Sequence, residues 1–212
     1  MIDLYITLKG RRTIEERVDQ YRDAAHKRMS GDFAKAGVEY PPKKVSLVGI
    51  KEQRIIQVWA VGADGHWKHA KDYPVLGMSG GLGPKLLEGD GQVPEGLYKI
   101  EYLNPNSVSH VSLKIGYPNA EDVRCAKLDG RTNLGGDIMI HGGKSSGGCL
   151  AVGNPASEDL FVLAAETGVT NVSVILTPVD FRSNPNPANI PVSHSWIPAL
   201  YDSIKAEQLS LK

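Results

Sequence analysis

From residue 45 onward, short apolar segments follow one another too closely for helices to connect them. The segments 45–50, 54–61 and 67–78 are separated by turn residues such as Asp64-Gly65, and Asp-Gly tolerates the positive φ of a hairpin turn. Parallel strands need a connection of a dozen or more residues, usually a helix. The pattern therefore predicts a sheet that is mostly antiparallel or mixed. Further strands are expected at 96–103, 111–117, 137–141 and 171–181.

Residues 13–36 have the pattern of an amphipathic helix. Thr13 and Glu16 are spaced as in a capping box, and apolar or small side chains recur every three or four residues up to Ala36. Gly37 is the expected C-terminal stop. Such a helix generally packs on its own domain, and docking of a partner is the alternative.

Only one further clear helix is expected among the strands. It covers 155–167, with Asn154 or Ser157 as N-cap and Gly168 at its end. A last short helix is expected over 198–209. The fold class is therefore mainly β with few helices (α+β), and the 23 Gly and 13 Pro residues fit its many turns.

The charge balance and hydropathy exclude some classes of partner. Lys and Arg together number 24, as do Asp and Glu, so no global positive field would hold nucleic acid. No segment approaches the roughly 18 apolar residues of a membrane-spanning helix. The first 12 residues also lack the apolar run of a secretory signal peptide.

The segment 135–153 contains the residues best suited to catalysis. An apolar strand ends at His141, and a loop with four glycines then leads to Cys149. A free thiol titrates near about 8.5, so an imidazole that accepts its proton would generate the nucleophilic thiolate. The backbone N–H groups of Gly148 and Cys149 would then face the oxygen of a tetrahedral intermediate.

Other interpretations of this segment remain open. Residues 143–147 match the serine-hydrolase pattern G-x-S-x-G, with Ser145 as nucleophile and Asp180 and His194 following in the expected order. However, the apolar residues after the loop are a poor helix start, which that motif requires. The same Gly-Lys-Ser also resembles the end of a phosphate-binding loop, but Ile138 stands where that pattern needs glycine.

A zinc site is a further alternative. His141 and Cys149 would bind zinc together with His110 or His194, but the closely spaced ligand pairs typical of structural zinc are absent from the sequence. We therefore expect no metal.

The spacing His-x₇-Cys, within Ile-Met-Ile-His-Gly and Ser-x-Gly-Cys, resembles the catalytic motif of the YkuD-type L,D-transpeptidase domain, and most closely its YafK-like branch. Residues 88–98 resemble the strand entry Thr-Pro-x-Gly-x-Tyr, with Val93 in place of Thr. Residues 104–107 and 110–119 resemble the next block of that branch. The resemblance spans about residues 45–180.

This resemblance implies a β-sandwich-like catalytic domain at 43–182, preceded by an N-terminal helical extension at 1–42 and followed by a C-terminal loop and helix at 183–212. It also implies cysteine-dependent acyl transfer on peptidoglycan stem peptides without a cofactor. Cys149 would attack the carbonyl that precedes a D-amino acid, and His141 would accept the thiol proton.

The resemblance implies roles for further residues. Gly142, Ser146 and Gly148 would shape the loop, and the Gly148 N–H would serve as an oxyanion donor. His110 and Tyr117 would line the substrate cleft, and packing is the alternative for both. Arg124 would bind a substrate carboxylate through its two-donor fork, or would be a solvated surface residue.

Three departures from the commoner family pattern keep hydrolysis open. Gly147 stands where many members have histidine, Ala151 stands where many have arginine, and the loop between His141 and Cys149 is short. The alternatives are an L,D-carboxypeptidase, an amidase that releases peptidoglycan-linked lipoprotein, and a non-catalytic peptidoglycan-binding module. The resemblance implies a periplasmic or secreted protein whose signal peptide has been removed. In an oxidising compartment Cys149 should be free and Cys125 buried.

Overall fold

The computed structural model describes residues 10–211, and these form a mixed sheet of eight strands with four α-helices. The order along the chain alternates between long runs of strands and single helices. The elements are α1 (Ile14–Ala36), β1 (Val45–Ile50), β2 (Ile55–Val61), β3 (Trp67–Pro74), β4 (Gly96–Ser107), β5 (His110–Ile115), α2 (Ala120–Leu128), β6 (Met139–His141), β7 (Leu150–Ala151), α3 (Asn154–Thr167), β8 (Val172–Thr177) and α4 (Ile197–Ser210).

The strands are ordered β3-β2-β1-β8-β4-β5-β6-β7 across the sheet. Two neighbouring pairs, β1–β8 and β6–β7, are parallel, and the other five are antiparallel. The expected mostly antiparallel or mixed sheet with few helices is therefore confirmed, and so is the α+β class.

The long strand β4 pairs with its two neighbours over different parts of its length. Its first residues, Gly96–Lys99, pair with β8, and the part from Ile100 onward pairs with β5. The segment after β3 then returns to the opposite edge, where Gly77 bridges Ala151 of β7. This bridge covers the outer edge of β7 and brings the residues after β3 beside the loop that precedes β7.

The central strands are buried on both faces. On β1, Val45 and Leu47 belong to the main core, whereas Val48 and Ile50 pack with the C-terminal helix. Alternate side chains of a strand point to opposite faces, so a strand covered on both sides reads as a continuous apolar run. α4 covers one face with a second apolar cluster that includes Trp196 and Ile204.

Helix α1 begins and ends as the sequence predicts. The Thr13 side chain accepts from the Glu16 N–H, the Glu16 carboxylate accepts from the Thr13 N–H, and Gly37 closes the helix with φ of 71°. Its apolar face, with Ala25, Met29 and Phe33, belongs to the main core. The N-terminal extension thus packs on the domain over its described part, while residues 1–9 lie outside the described residues.

The sequence interpretation was wrong in three details. Helix α2 was not expected, although Asn119 and Asp122 form a capping box at its start. Helix α3 has Gly153 as N-cap without a side-chain bond, rather than Asn154 or Ser157, and Pro155 opens its first turn. The third strand ends at Pro74, because the chain then turns towards β7.

Within residues 10–211, no helix combines the length and apolar character needed to cross a membrane. The domain limits at 43 and 182 stay a prediction.

Candidate active site

The loop between His141 and Cys149 connects a pair of parallel neighbouring strands. Strand β6 ends at His141, and β7 begins directly after Cys149, with Ile140 opposite Leu150. Only residues 142–149 connect the strands, fewer than the dozen normally needed. The glycines make this possible, since Gly143 and Gly148 adopt φ values of 74° and 91°.

The register of the two strands brings the two ends of the loop together. His141 lies opposite Ala151, and Ile140 lies opposite Leu150, the residue after Cys149. Cys149 itself precedes β7, and its Sγ lies 3.4 Å from the backbone nitrogen of Met139, two residues before His141.

The ring of His141 is oriented by a backbone carbonyl. Its Nδ1 lies 2.6 Å from the Gly142 oxygen, and the residue is buried with 7% exposure. A carbonyl oxygen can only accept, so Nδ1 carries the proton and donates it. Nε2 therefore has the free lone pair that a general base requires.

Cys149 is half-buried, and its sulfur contacts the backbone before β6. Sγ donates to the Asp137 oxygen and accepts from the Met139 N–H, both at 3.4 Å. Burial raises the pKa of the Cys149 thiol, while the Met139 N–H opposes this shift because it stabilises the thiolate. Among the described residues, Sγ has no hydrogen bond to His141.

Two serine hydroxyls accept hydrogen bonds from backbone N–H groups beside the thiol. The Gly148 N–H donates to Ser79 Oγ at 2.7 Å, and the Cys149 N–H donates to Ser146 Oγ at 3.0 Å. Ser79 in turn donates to the Gly91 oxygen at 2.6 Å. An oxyanion that used these N–H groups would have to replace a hydroxyl oxygen.

Close backbone packing fixes the loop on its outer side. A β-carbon on Gly77 would lie 2.2 Å from the Lys144 oxygen, and one on Gly142 would lie 2.6 Å from Asn154 Oδ1. The Asn154 side chain also accepts from the Gly143 N–H at 2.9 Å. The loop therefore has little freedom to move towards β3 or α3.

The sequence model of the YkuD family, described as the L,D-transpeptidase catalytic domain, matches residues 43–175. The chain belongs to the YkuD family. A curated protein of Escherichia coli K12, named "Putative L,D-transpeptidase YafK", is 34% identical over 113 residues. That match covers 52% of this chain and 43% of the relative, so the chain spans less than half of the curated relative that it matches.

The solved structures that resemble this chain are less similar to it in sequence than the curated relative is. The helical cell shape determining protein Pgp2 of Campylobacter jejuni is 23% identical, with a TM-score of 0.49 over 70% of this chain and 54% of Pgp2. L,D-transpeptidase 1 of Mycobacterium tuberculosis is 10% identical, with a TM-score of 0.38 over 63% of this chain and 62% of that protein.

The other residues singled out by the resemblance to the YkuD family lie at different distances from the thiol. Tyr117 is buried, donates to the Leu134 oxygen at 3.1 Å, and lines a cleft shared with Asp137. His110 belongs to the α1–α3 interface, where its Nε2 lies 2.8 Å from Glu158.

Arg124 lies on the surface of α2. Its guanidinium donates to Glu121 at 2.7 Å, and its side chain is 53% exposed. In this structure the fork of Arg124 is therefore taken by a neighbour on its own helix.

The structure also shows the surroundings of the two cysteines, of the serine-hydrolase candidates and of the possible metal ligands. Cys125 and Cys149 are both free and Cys125 is buried, as predicted. Ser145 is exposed and leads into β7 rather than a helix, whereas Asp180 is paired with Arg182. Among residues 10–211, no three His, Cys, Asp or Glu side chains are grouped so as to hold a metal ion.

Sequence reasoning missed the contacts that four residues make with the loop and with Cys149. These are Ser79, Asp137, Met139 and Asn154. One signal for Ser79 was present, because the segment 77–91 contains six glycines in fifteen residues and so forms a second close-packed loop. The backbone contacts of Asp137 and Met139 depend on strand register, which no short motif encodes.

Proposed function

We propose that this chain is a cysteine acyl-transfer enzyme of peptidoglycan stem peptides, with Cys149 as nucleophile and His141 as general base. The observation that carries the proposal is the orientation of His141. Its Nδ1 is committed to the Gly142 oxygen, so Nε2 is the nitrogen left to accept the proton of the Cys149 thiol at the other end of the loop. Membership of the YkuD family supports the assignment.

The reaction begins when the thiol leaves the Asp137 oxygen and gives its proton to His141 Nε2. The thiolate attacks the carbonyl carbon that precedes a D-amino acid, forming a C–S bond and an oxyanion. The Met139 N–H stabilises the thiolate through its contact with Sγ. Catalytic hydrogen bonds of this kind often form fully only when substrate is bound.

The oxyanion would be held by the N–H groups of Gly148 and Cys149, after the substrate oxygen replaces the hydroxyls of Ser79 and Ser146. When the intermediate collapses, the C–N bond breaks and His141 returns the proton to the leaving amine. A second amine then resolves the thioester in transpeptidation, and water resolves it in hydrolysis. Either reaction would take place outside the cytoplasmic membrane, where peptidoglycan lies.

The test is mass spectrometry of muropeptides after incubation of peptidoglycan, with and without linked lipoprotein, with the protein. Wild type should change the muropeptides and Cys149→Ala should not. Ser145→Ala is the matched control in the same loop and should stay active, whereas loss of activity in that variant would favour the serine-hydrolase alternative. New cross-links would identify a transpeptidase, and shortened stems or released lipoprotein a hydrolase. Binding without any product from wild type would contradict the proposal and indicate a non-catalytic module.

A further inference from the structure

A polar cleft of about 640 Å³ opens beside the nucleophile. Asp137 connects the two, because its backbone oxygen accepts from the thiol while its side chain is 89% exposed in the cleft. The cleft also contains Lys114 and the carboxylates of Glu88 and Glu101. A peptide bound to Cys149 would therefore extend past charges of both signs.

The sheet register points Lys114 towards the reacting atoms. Lys114 on β5 lies opposite Met139 on β6, and Met139 lies one residue before Ile140, whose partner is Leu150. Cys149, the residue before Leu150, lies beside Met139, whose N–H donates to its Sγ at 3.4 Å. Lys114 and Met139 are paired across the two strands and project from the same face. Two strand spacings separate the backbones of Lys114 and Cys149, about 10 Å, and Lys114 favours the thiolate of Cys149 electrostatically.

Lys114 differs from the other buried lysines in its contacts. Among residues 10–211 three lysines are buried. Lys51 donates to the oxygens of Gly83 and Val93 at 2.7 and 3.0 Å, and Lys85 donates to Leu87 and Asp90 at 2.8 and 2.6 Å. Each of these two ammonium groups therefore already donates to two oxygens of the fold.

The ammonium of Lys114 forms no hydrogen bond with any residue of the described range. Its side chain is 9% exposed, and its ion-pair partners are Asp137 at 3.3 Å and Glu101 at 3.7 Å. Both carboxylates are mostly exposed, so water competes for them. Lys114 lines the cleft, where a ligand can accept hydrogen bonds from the three donors of its ammonium group.

We propose that Lys114 binds a carboxylate of the acyl-donor peptide and so determines which peptides reach Cys149; this rests on the proposed function. In the absence of peptide, Glu101 and Asp137 hold the ammonium in place. When the peptide binds, its carboxylate accepts hydrogen bonds from the Lys114 ammonium within the cleft. The carboxylate belongs either to a side chain of the peptide or to its C-terminus.

The test measures peptide binding by calorimetry in the Cys149→Ala background, so that turnover does not intervene. The probes are a stem tetrapeptide, its C-terminal amide and its side-chain amide. We expect Lys114→Gln to weaken binding of the free peptide by about tenfold or more. One of the two amides lacks the carboxylate that Lys114 recognises. That amide should bind weakly to the protein with Lys114 and equally weakly to Lys114→Gln. Which amide behaves in this way identifies the source of the carboxylate.

Two variants control for folding and for general charge. Lys114→Arg keeps the cation and should retain binding of the free peptide to within a few fold. Lys99→Gln removes an exposed lysine of β4 and should leave all three affinities unchanged. An equal loss for all three peptides in Lys114→Gln, or no loss, would overturn the proposal.

The muropeptide assay with wild type is scored in parallel. Products from wild type together with unaltered binding by Lys114→Gln would refute the role of Lys114 and leave the proposed function intact. If the Cys149→Ala protein that retains Lys114 bound none of the three peptides, both the role of Lys114 and the proposed function would be contradicted.

Discussion

The α1–α3 interface and the loop 142–148 are both polar, but their polar groups are satisfied in different ways. At the interface, charged groups have charged partners: Arg28 donates to Asp159 at 2.7 Å and to Glu158 at 2.9 Å. Tyr73 donates to Asp159 and His110 contacts Glu158, at 2.9 and 2.8 Å. Around the loop the partners are neutral: a carbonyl oxygen for His141 Nδ1, and serine hydroxyls for the N–H groups of Gly148 and Cys149.

The two histidines show what this difference means. His110 has a carboxylate on its Nε2, so that nitrogen is already used by the fold. His141 has a carbonyl on its Nδ1 and keeps Nε2 for chemistry. Neutral contacts can be exchanged for a substrate at small cost, whereas a broken buried ion pair leaves an uncompensated charge. The interface therefore maintains the fold, and the loop is suited to exchange partners.

The largest expected effect separates the histidines. His141→Gln should lower kcat by about 10²–10⁴-fold, because it removes the general base. His110→Gln should lower the free energy of unfolding and leave kcat within a few fold. The measurements are product formation on peptidoglycan and denaturant unfolding of both variants. Equal losses of turnover in the two variants would contradict the assignment.

The next effect concerns the charged interface. Asp159→Ala should lower the free energy of unfolding by about 3 kcal/mol, since it leaves Arg28 and the Tyr73 hydroxyl without their partner. Asp202→Ala on the exposed face of α4 is the control and should leave stability unchanged. The measurement is urea unfolding of both variants. Identical midpoints would show that the contacts of Asp159 with Arg28 and Tyr73 do not stabilise the fold.

A smaller effect tests the close packing of the loop. Gly77→Ala should cost about 1–3 kcal/mol, because its β-carbon would meet the Lys144 oxygen at 2.2 Å. Gly81→Ala, in the same segment but with open space around it, should be neutral or slightly stabilising. Thermal unfolding compares them. A neutral Gly77→Ala would mean that the loop moves freely, against the rigid packing described here.

The smallest effect concerns the resting thiol. Because burial raises the pKa of Cys149, its alkylation by iodoacetamide should increase with pH, with a midpoint above the roughly 8.5 of a free cysteine. Peptide mapping separates it from Cys125, whose pKa burial raises to about 11. A midpoint below neutrality would instead indicate a resting thiolate paired with a protonated His141.

Local signals in the sequence were enough for much of the fold. The capping box at Thr13 and Glu16 and the stop at Gly37 were placed correctly, because each depends on neighbours within one helical turn. The α2 capping box was equally local and was overlooked. The divided pairing of β4 and the Gly77–Ala151 bridge could not be predicted, since they depend on pairing between distant segments.

The same division applies to the site. The pair His141 and Cys149 was proposed from the spacing of the motif, and its catalytic role stays a proposal. The positions of Ser79 and Lys114 near Cys149 could not be predicted, because these residues lie 70 and 35 residues before it in the chain and approach it only through pairing between distant segments. Arg124 looked suitable by type, but the neighbour that occupies its fork lies one helical turn away.

The most direct test of the account is the mass of the protein itself during turnover. Wild type is mixed with a stem tetrapeptide, quenched in acid, and digested for peptide mapping. The account predicts a thioester adduct on the peptide that contains Cys149, with the mass of the acyl fragment, and none in Cys149→Ala. It also predicts that the adduct accumulates less in His141→Gln. Turnover with the adduct on another residue, or turnover by Cys149→Ala, would contradict the central claim.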